Sequence, residues 1–532
     1  MTPEERAVLA PYVTNTEGDV FVLTNLPEVV KGALFSRYSR SALGLRRLLL
    51  KEFLQDPAAA LRELGAAAPQ AGAAAARLAV GRAQEFYDRI LDGYGDDSIG
   101  ELGGAHLAME NVSMIATKVL EDARIGGSPL EKSTRYVSFG RKRGGEYLFH
   151  QEPALLASRH RERYLQTCRG LFETYLALMP PLTAHVEALS PRSAQTSEAA
   201  WRRSVNARVY DALRGLLPAS TLTNMGIFGN GRFFEALLVR LRLSNLGELR
   251  TLAEAMSAEL GKVIPSFIRR ADPGHRHFQG FAAYQRQRGE TVRTLAAQVP
   301  HVDAEPRAAT VALVDHDPEA EVRVLAALVY PDSGASLAEA RRWAASLSVP
   351  ARLEIFQRLA GQRDNRRHKL PRALETVFYT FDLVGDFGMY RDLHRHRMLT
   401  QQRQPLSTRH GFALPEEVAL AGEAGRYTEA MHGATEAYEA MRGDFPEQAQ
   451  YVVPMACHIR WMVHVNLRAL MWLVELRSTP QGHPAYRHMA QEMFRRVQEV
   501  HPALAALLRF VDLRDYALGR LDAEQRQEDK AR

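Results

Sequence analysis

Residues 376–383 alternate apolar and polar side chains, with Val377, Tyr379, Phe381 and Leu383 on one face. That period of two predicts a half-buried strand. Residues 222–243 and 458–477 carry apolar side chains at helical spacing, which predicts a helix in each. Segments 19–28 and 309–319 both read as a short strand followed by a proline, Pro27 or Pro318, in the first turn of a helix. Residues 57–80 are rich in alanine and interrupted by Pro57 and Pro69, the pattern of a surface helix or insertion without chemistry. Strands mixed with helices in both halves predict an α+β fold, a mainly antiparallel sheet covered by helices in each half.

The two halves repeat. Pro218 and Pro454, Asn230 and Asn466, and Arg232 and Arg468 are each 236 residues apart, and Leu237/Leu473 and Leu238/Val474 keep that offset. Ser133, Thr134 and Arg135 reappear in order as Ser407, Thr408 and Arg409. A fixed period of this kind is the mark of a duplicated unit. We therefore expect an N-terminal domain over 1–272, a linker over 273–308, a homologous C-terminal domain over 309–515, and a charged, fraying tail over 516–532.

Composition narrows the class. The 532 residues are 46% hydrophobic and 24% charged, which excludes wholesale disorder and collagen-like chains. No run approaches 18 apolar residues, and the first residues carry Glu4, Glu5 and Arg6, so neither a membrane helix nor a leader is expected, and the expected location is cytoplasmic. Cys168 and Cys457 are too few for a disulfide framework or a structural metal site. Cys457 is read as a small buried residue. Of 68 basic residues 60 are arginine, whose planar fork suits carboxylates and phosphates. A net charge of +6 suits small anionic ligands and argues neither for nucleic acid nor for membrane.

Two clusters carry candidate chemistry. Arg391, His394, Arg395, His396 and Arg397 follow the strand at 376–383 closely. Cations at that density repel unless an anion neutralises them, so a phosphate or anionic-ring site competes with a solvated basic helix face. Glu131, Ser133 and Arg135 place a carboxylate, a hydroxyl and a guanidinium on one side of an extended segment. From spacing alone an ordinary exposed strand explains that second cluster as well.

The ordered set of these motifs resembles the flavin-dependent thymidylate synthase (ThyX) family, present twice. Arg395, His396 and Arg397 match the first part of the family signature, but nine residues separate them from Ser407, Pro405 stands where a glutamate belongs, and His410 replaces a tyrosine. In the first half Glu131, Ser133, Arg135 and Tyr136 match the second part, while Asp122, Ala123 and Arg124 replace the Arg-His-Arg. Gly95, Ser98 and Glu101 resemble a family turn that has lost its histidine, and His368 and Pro371 keep part of the same turn. Arg214 matches a nucleotide-contacting arginine where the second half has Gln450, and Arg477 matches another where the first half has Leu241.

The resemblance implies FAD as cofactor, NADPH and methylenetetrahydrofolate as co-substrates, and conversion of dUMP to dTMP. It implies catalytic roles for Arg395, Arg397 and Glu131, and substrate binding by Glu131, Ser133, Arg135, Arg214 and Arg477. It implies cofactor contacts from Arg395, His396, Arg397, Ser98, Glu101, Asn230, Asn466 and His368, and no metal. Because each half keeps what the other lost, we expect one complete site between a first half and a second half. A homodimer would then imitate the family tetramer. The competing expectation is a catalytically degenerate flavin- or nucleotide-binding homologue.

Overall fold

The computed structural model describes residues 1–39, 41–54, 97–300 and 308–531. The Ala-rich segment 57–80 lies outside them. The chain forms two compact units that cut across the sequence repeat. The first comprises residues 1–112, 116–132 and 223–301; the second comprises 113–115, 133–222 and 302–532. Among the described residues no helix is long and apolar enough to cross a membrane.

The first unit holds an antiparallel sheet of β1 (Gly104–Ser113), β2 (Gly127–Glu131) and β5 (Leu222–Asn230), in the order β1-β5-β2. β3 (Lys142–Arg143) and β4 (Glu146–Tyr147) make a small hairpin in the second unit. The second unit is built on β6 (Thr310–His316), β7 (Phe378–Asp386), β8 (Thr400–Arg403) and β9 (His458–Asn466), in the order β6-β7-β9-β8 and antiparallel throughout. The alternation expected at 376–383 is β7: Tyr379, Phe381 and Leu383 are buried opposite Val465, Val463 and Trp461 of β9.

The repeat is now three-dimensional. β5 and β9 are the same strand 236 residues apart, each ending in an asparagine that starts a helix, Gly231–Arg242 or Leu467–Arg477. The helices expected over 222–243 and 458–477 are thus each a strand followed by a helix. Their first nine residues are apolar on one face, and a short apolar pattern does not separate strand from helix by itself. The strand expected at 19–28 is a single bridge, Val13 to Leu23, before the helix Glu28–Tyr38. Its counterpart in the second half is the full strand β6.

Two segments expected to be irregular are helical. Residues Arg276–Ala296 of the anticipated linker form a 21-residue helix. In the anticipated fraying tail Leu521–Ala531 is a helix, tied to the helix Glu198–Leu213 by Arg203 Nε to Glu524 at 2.7 Å and to the turn before it by Gln525 Nε2 to Thr196 Oγ1 at 3.1 Å. Its acidic residues find basic partners, which a composition count of the tail does not reveal.

Within the second unit the two copies meet around an internal two-fold. Pro218 and Pro454 face one another in an antiparallel bridge. The Ala219 N–H donates to Val453 O at 2.9 Å and the Met455 N–H donates to Leu217 O at 2.9 Å. Ser220 N–H to Tyr451 O at 3.0 Å is likewise mirrored by Ala456 N–H to Gly215 O at 2.8 Å. Adding 236 to one member of each pair gives the other, which is the signature of an isologous contact, here formed inside one chain.

Candidate functional site

The site is built at the ends of four helices in the second unit. Asp386, the last residue of β7, caps the helix Phe387–Leu393 by accepting from the Met389 N–H at 2.7 Å. That helix delivers Arg391 and Asp392, and the turn after it delivers His394, Arg395, His396 and Arg397. The helix Glu198–Leu213 and the turn Arg214–Leu216 bring Asp211 and Arg214 from the first half of the sequence. Leu467–Arg477 ends on Arg477, and Pro484–Val500 brings His483 at its cap and Tyr486.

Asp392 lies at the centre. Its carboxylate is 3.1 Å from Arg214 Nη1 and 3.8 Å from Arg395 Nη2. Burial alone would raise its pKa, but Arg214, then Arg395, Arg135 and Arg477, outweigh that and hold it far below the usual carboxylate range. This is the anion that the basic run at 391–397 calls for, and it sits inside the run. Gly388 lets these groups close up: a Cβ there would stand 3.0 Å from Asp386 Oδ1 and 3.3 Å from Arg214 Nε. Asp386 is buried, and burial raises its pKa despite the neighbouring Arg214.

The structure divides the candidate residues by what they have left to offer. Arg135 grips Asp211 with two bonds, Nε at 2.7 Å and Nη2 at 2.8 Å, and also donates to Tyr486 Oη at 2.9 Å and Gln481 O at 3.1 Å. Arg520 adds a second cation to Asp211 at 3.2 Å. Burial opposes the charge on Arg135, but Asp211 wins and raises its pKa. Arg135 is therefore a spent fork. Arg214 differs: only its Nη1 is paired, while Nη2 is buried without a hydrogen-bond partner. An unsatisfied buried guanidinium nitrogen is costly and points to an anion that completes it.

Arg477 Nε donates to His396 Nε2 at 2.9 Å, so the His396 ring is neutral and held as a partner of Arg477. Burial, then the Arg477 charge, lowers the His396 pKa. Arg395 and Arg397 are exposed at the rim. Ser133 Oγ accepts from the Arg135 N–H at 3.2 Å and shapes the turn leading into Arg135. His483 donates from Nε2 to Asp211 O at 3.1 Å and accepts from the Ala485 N–H at 3.1 Å.

Other candidates are structural parts of their own repeat. Asn230 and Asn466 cap the helices after β5 and β9, accepting from Phe233 N–H at 2.8 Å and Ala469 N–H at 2.9 Å. Glu101 pairs with Arg232 at 2.8 Å, and the same lock in the second half is Glu375 with Arg468 at 2.7 Å. The sequence comparison at His368 missed Glu375. His368 itself orders its own loop, with Nε2 at 3.0 Å from Asn365 Nδ2. Ser98 lies in the short helix Asp97–Glu101.

Glu131 belongs to the first unit, where it meets Lys118 at 3.1 Å and Thr117 at 3.2 Å. Lys118 is also paired with Glu121, and all three are buried. Strand register moves its counterpart as well. Glu131 faces Met225 and Arg403 faces Trp461, partners 236 residues apart, so Arg403 and not Pro405 occupies the equivalent place. Sequence reasoning also passed over Asp211, Asp386, Asp392, Tyr486 and Arg520. Single carboxylates near arginines carry little signal until a fold shows that they are buried.

The sequence profile of the thymidylate synthase complementing protein family matches residues 56–266 and again 312–503. A UPF0159 protein of Chlamydia pneumoniae is 49% identical over 527 residues, covering 99% of this chain and 98% of that protein. A UPF0159 protein of Thermoplasma acidophilum is 35% identical over 94% of this chain. A flavin-dependent thymidylate synthase of Geobacter sulfurreducens is 31% identical over 206 residues, 36% of this chain and 84% of that protein. Among solved structures, the UMP/dUMP methylase PolB of Streptomyces cacaoi aligns with a TM-score of 0.31 and 21% identity, covering 38% of this chain and 96% of that one.

Proposed function

The chain belongs to the thymidylate synthase complementing protein family, which it contains twice, and from that premise we propose that it methylates dUMP to dTMP at one composite site per chain. The carbon donor in this reading is methylenetetrahydrofolate, and the reductant is a reduced nicotinamide acting through FAD. The observation that carries the reading is the half-used fork of Arg214, set beside Arg395 and Arg477 of the other repeat within one compact unit. Three guanidiniums whose charges all act on Asp392 fit a phosphate monoester, which wants two or more such forks.

The matching position in the other repeat has closed. Gln450 accepts from the Leu406 N–H at 2.9 Å and donates to Glu447 O at 3.0 Å, so its amide is occupied. Lys118, which lies five residues past the end of β1 as Arg391 lies five past the end of β7, is neutralised by Glu121 and Glu131. These contacts support one site per chain.

The rim residues Arg395 and Arg397 also fit the anionic part of a flavin dinucleotide, and the family is generally flavin-dependent. When bound, reduced flavin supplies the hydride for the transferred carbon. The chain's own contribution is positioning: Arg214 and Arg477 hold the phosphate, and Asp211 and Arg135 fix the wall behind it. Positioning of this kind is the main lever when cofactors carry the chemistry.

A catalytically silent binder is the second reading. The spent fork of Arg135 and the closed triad at Glu131 favour it. The test is dTMP formation by the purified chain from dUMP, methylenetetrahydrofolate, FAD and NADPH, with Arg214→Gln as the inactive control. A yellow protein that forms no dTMP and oxidises no NADPH establishes the silent binder. Because Arg214 and Arg397 lie in one compact unit of one chain, co-expressing Arg214→Gln with Arg397→Ala should restore nothing. Restored activity would place the site between chains.

A further inference from the structure

We infer that Asp392 is a built-in competitor for the anionic group of the ligand, so that an internal carboxylate sets how tightly the site holds a phosphate monoester. This rests on the reading that Arg214, Arg395 and Arg477 receive that phosphate.

Buried arginines of the second unit pair with carboxylates in two ways. Arg135 meets Asp211 with two bonds, at 2.7 and 2.8 Å. Arg363 meets Glu475 with two bonds, both at 2.7 Å. Both are buried and permanent, and such forks are the strong, shape-specific form of the contact. Arg214 and Asp392 are as deeply buried, yet share a single bond at 3.1 Å and leave Nη2 open. Asp392 reaches partway toward Arg395 as well, at 3.8 Å. It therefore stands among the cations without saturating any of them.

That geometry has two effects. Without ligand, Asp392 offsets part of the repulsion among Arg214, Arg395, Arg477 and Arg135. With ligand, it is a like charge a few ångströms from the phosphate and weakens its binding. Burial raises the pKa of the second nearby carboxyl, Asp386, whereas Asp392 is held far below the usual carboxylate range, so Asp392 is the stronger competitor. The benefit is release: a product that keeps the substrate's phosphate leaves a pocket from which one unit of attraction has been subtracted.

The test measures binding of inorganic phosphate and of dUMP to the full chain by titration calorimetry. Asp392→Asn should bind both about tenfold or more tightly, the change expected from about 1.4 kcal/mol. KM for dUMP should fall while kcat stays level or drops through slower release. Asp332→Asn, an exposed carboxylate elsewhere in the unit, should leave both affinities unchanged. Should Asp392→Asn lower the melting midpoint, Asp392→Gln serves instead, since it removes the charge and keeps an acceptor for Arg214. Unchanged or weaker binding in whichever variant melts with the wild type overturns the inference. Arg214→Gln separates the two ideas. If it binds phosphate and dUMP like the wild type, the site reading fails; if it loses both while Asp392→Asn gains nothing, only the competitor role fails.

Discussion

Acidification from pH 7 to pH 5 should loosen the second unit through His483. This imidazole is half-buried at the cap of Pro484–Val500, where desolvation and then the Arg214 charge push its pKa down to about 3. In the unfolded chain it titrates near about 6.5. A depressed base favours folding fully above the unfolded pKa, and that contribution is lost as pH falls from about 6.5 toward the folded value. At pH 5 the unfolded histidine sits about 1.5 units below its pKa, and each unit is worth about 1.36 kcal/mol, so His483 alone costs about 2 kcal/mol. His396, lowered by burial and by Arg477, adds loss of the same sign. Trp201, Trp343, Trp461 and Trp472 all lie in the second unit, so tryptophan fluorescence during urea unfolding reports that unit alone. His483→Asn keeps a helix-capping side chain but cannot take up the proton. The wild type should lose about 2 kcal/mol more than this variant between pH 7 and pH 5. Equal pH dependence in the two proteins would refute the reasoning.

Three further outcomes follow from contacts described above. Arg520→Ala removes the second cation from Asp211 and should lower stability by about 1–3 kcal/mol in the same fluorescence assay, with a higher KM for dUMP if, as proposed, Arg135 and Asp211 back the phosphate site. Lys118→Met strands the buried carboxylates Glu121 and Glu131 and should cost about 3–5 kcal/mol in circular-dichroism melts, whereas adding Glu121→Gln and Glu131→Gln should recover most of it. Asn466→Ala and Asn230→Ala each delete a helix cap, about 1 kcal/mol, and should leave flavin retention unchanged; loss of flavin from either at full stability would make that asparagine a ligand.

How much of this was legible depended on which signal each residue sends. β7 was readable because Val377, Tyr379, Phe381 and Leu383 alternate against a polar face. The repeat was readable because Pro218 and Asn230 hold their spacing to Pro454 and Asn466. The residues over 222–230 and 458–466 misled because one apolar face over nine residues satisfies either period. The meaning of the constant asparagines was hidden for a different reason: a capping residue and a ligand residue look alike in sequence, and only the bond to the Phe233 or Ala469 N–H tells them apart. Arg135 and Arg214 are equally good matches to the family pattern. What separates them is Asp211, which consumes one fork, and the absence of any second bond at the other. The place of Arg403 opposite Trp461 depended on strand register, which shifts once two extra residues precede Ser407.

The mirrored hydrogen bonds about Pro218 and Pro454 have a hereditary consequence. In a two-fold assembly of identical chains every mutation lands on both sides of the axis at once, so a change that spoils one pocket spoils its twin. Joined in one polypeptide, the two sides are written in separate codons. Arg214 can persist while its twin position carries Gln450. Covalent continuity also fixes the local concentration of each side for the other, so dilution cannot part them. Fusion thus turns a symmetry that would enforce sameness into one that tolerates a division of labour, at the cost that neither copy can be discarded.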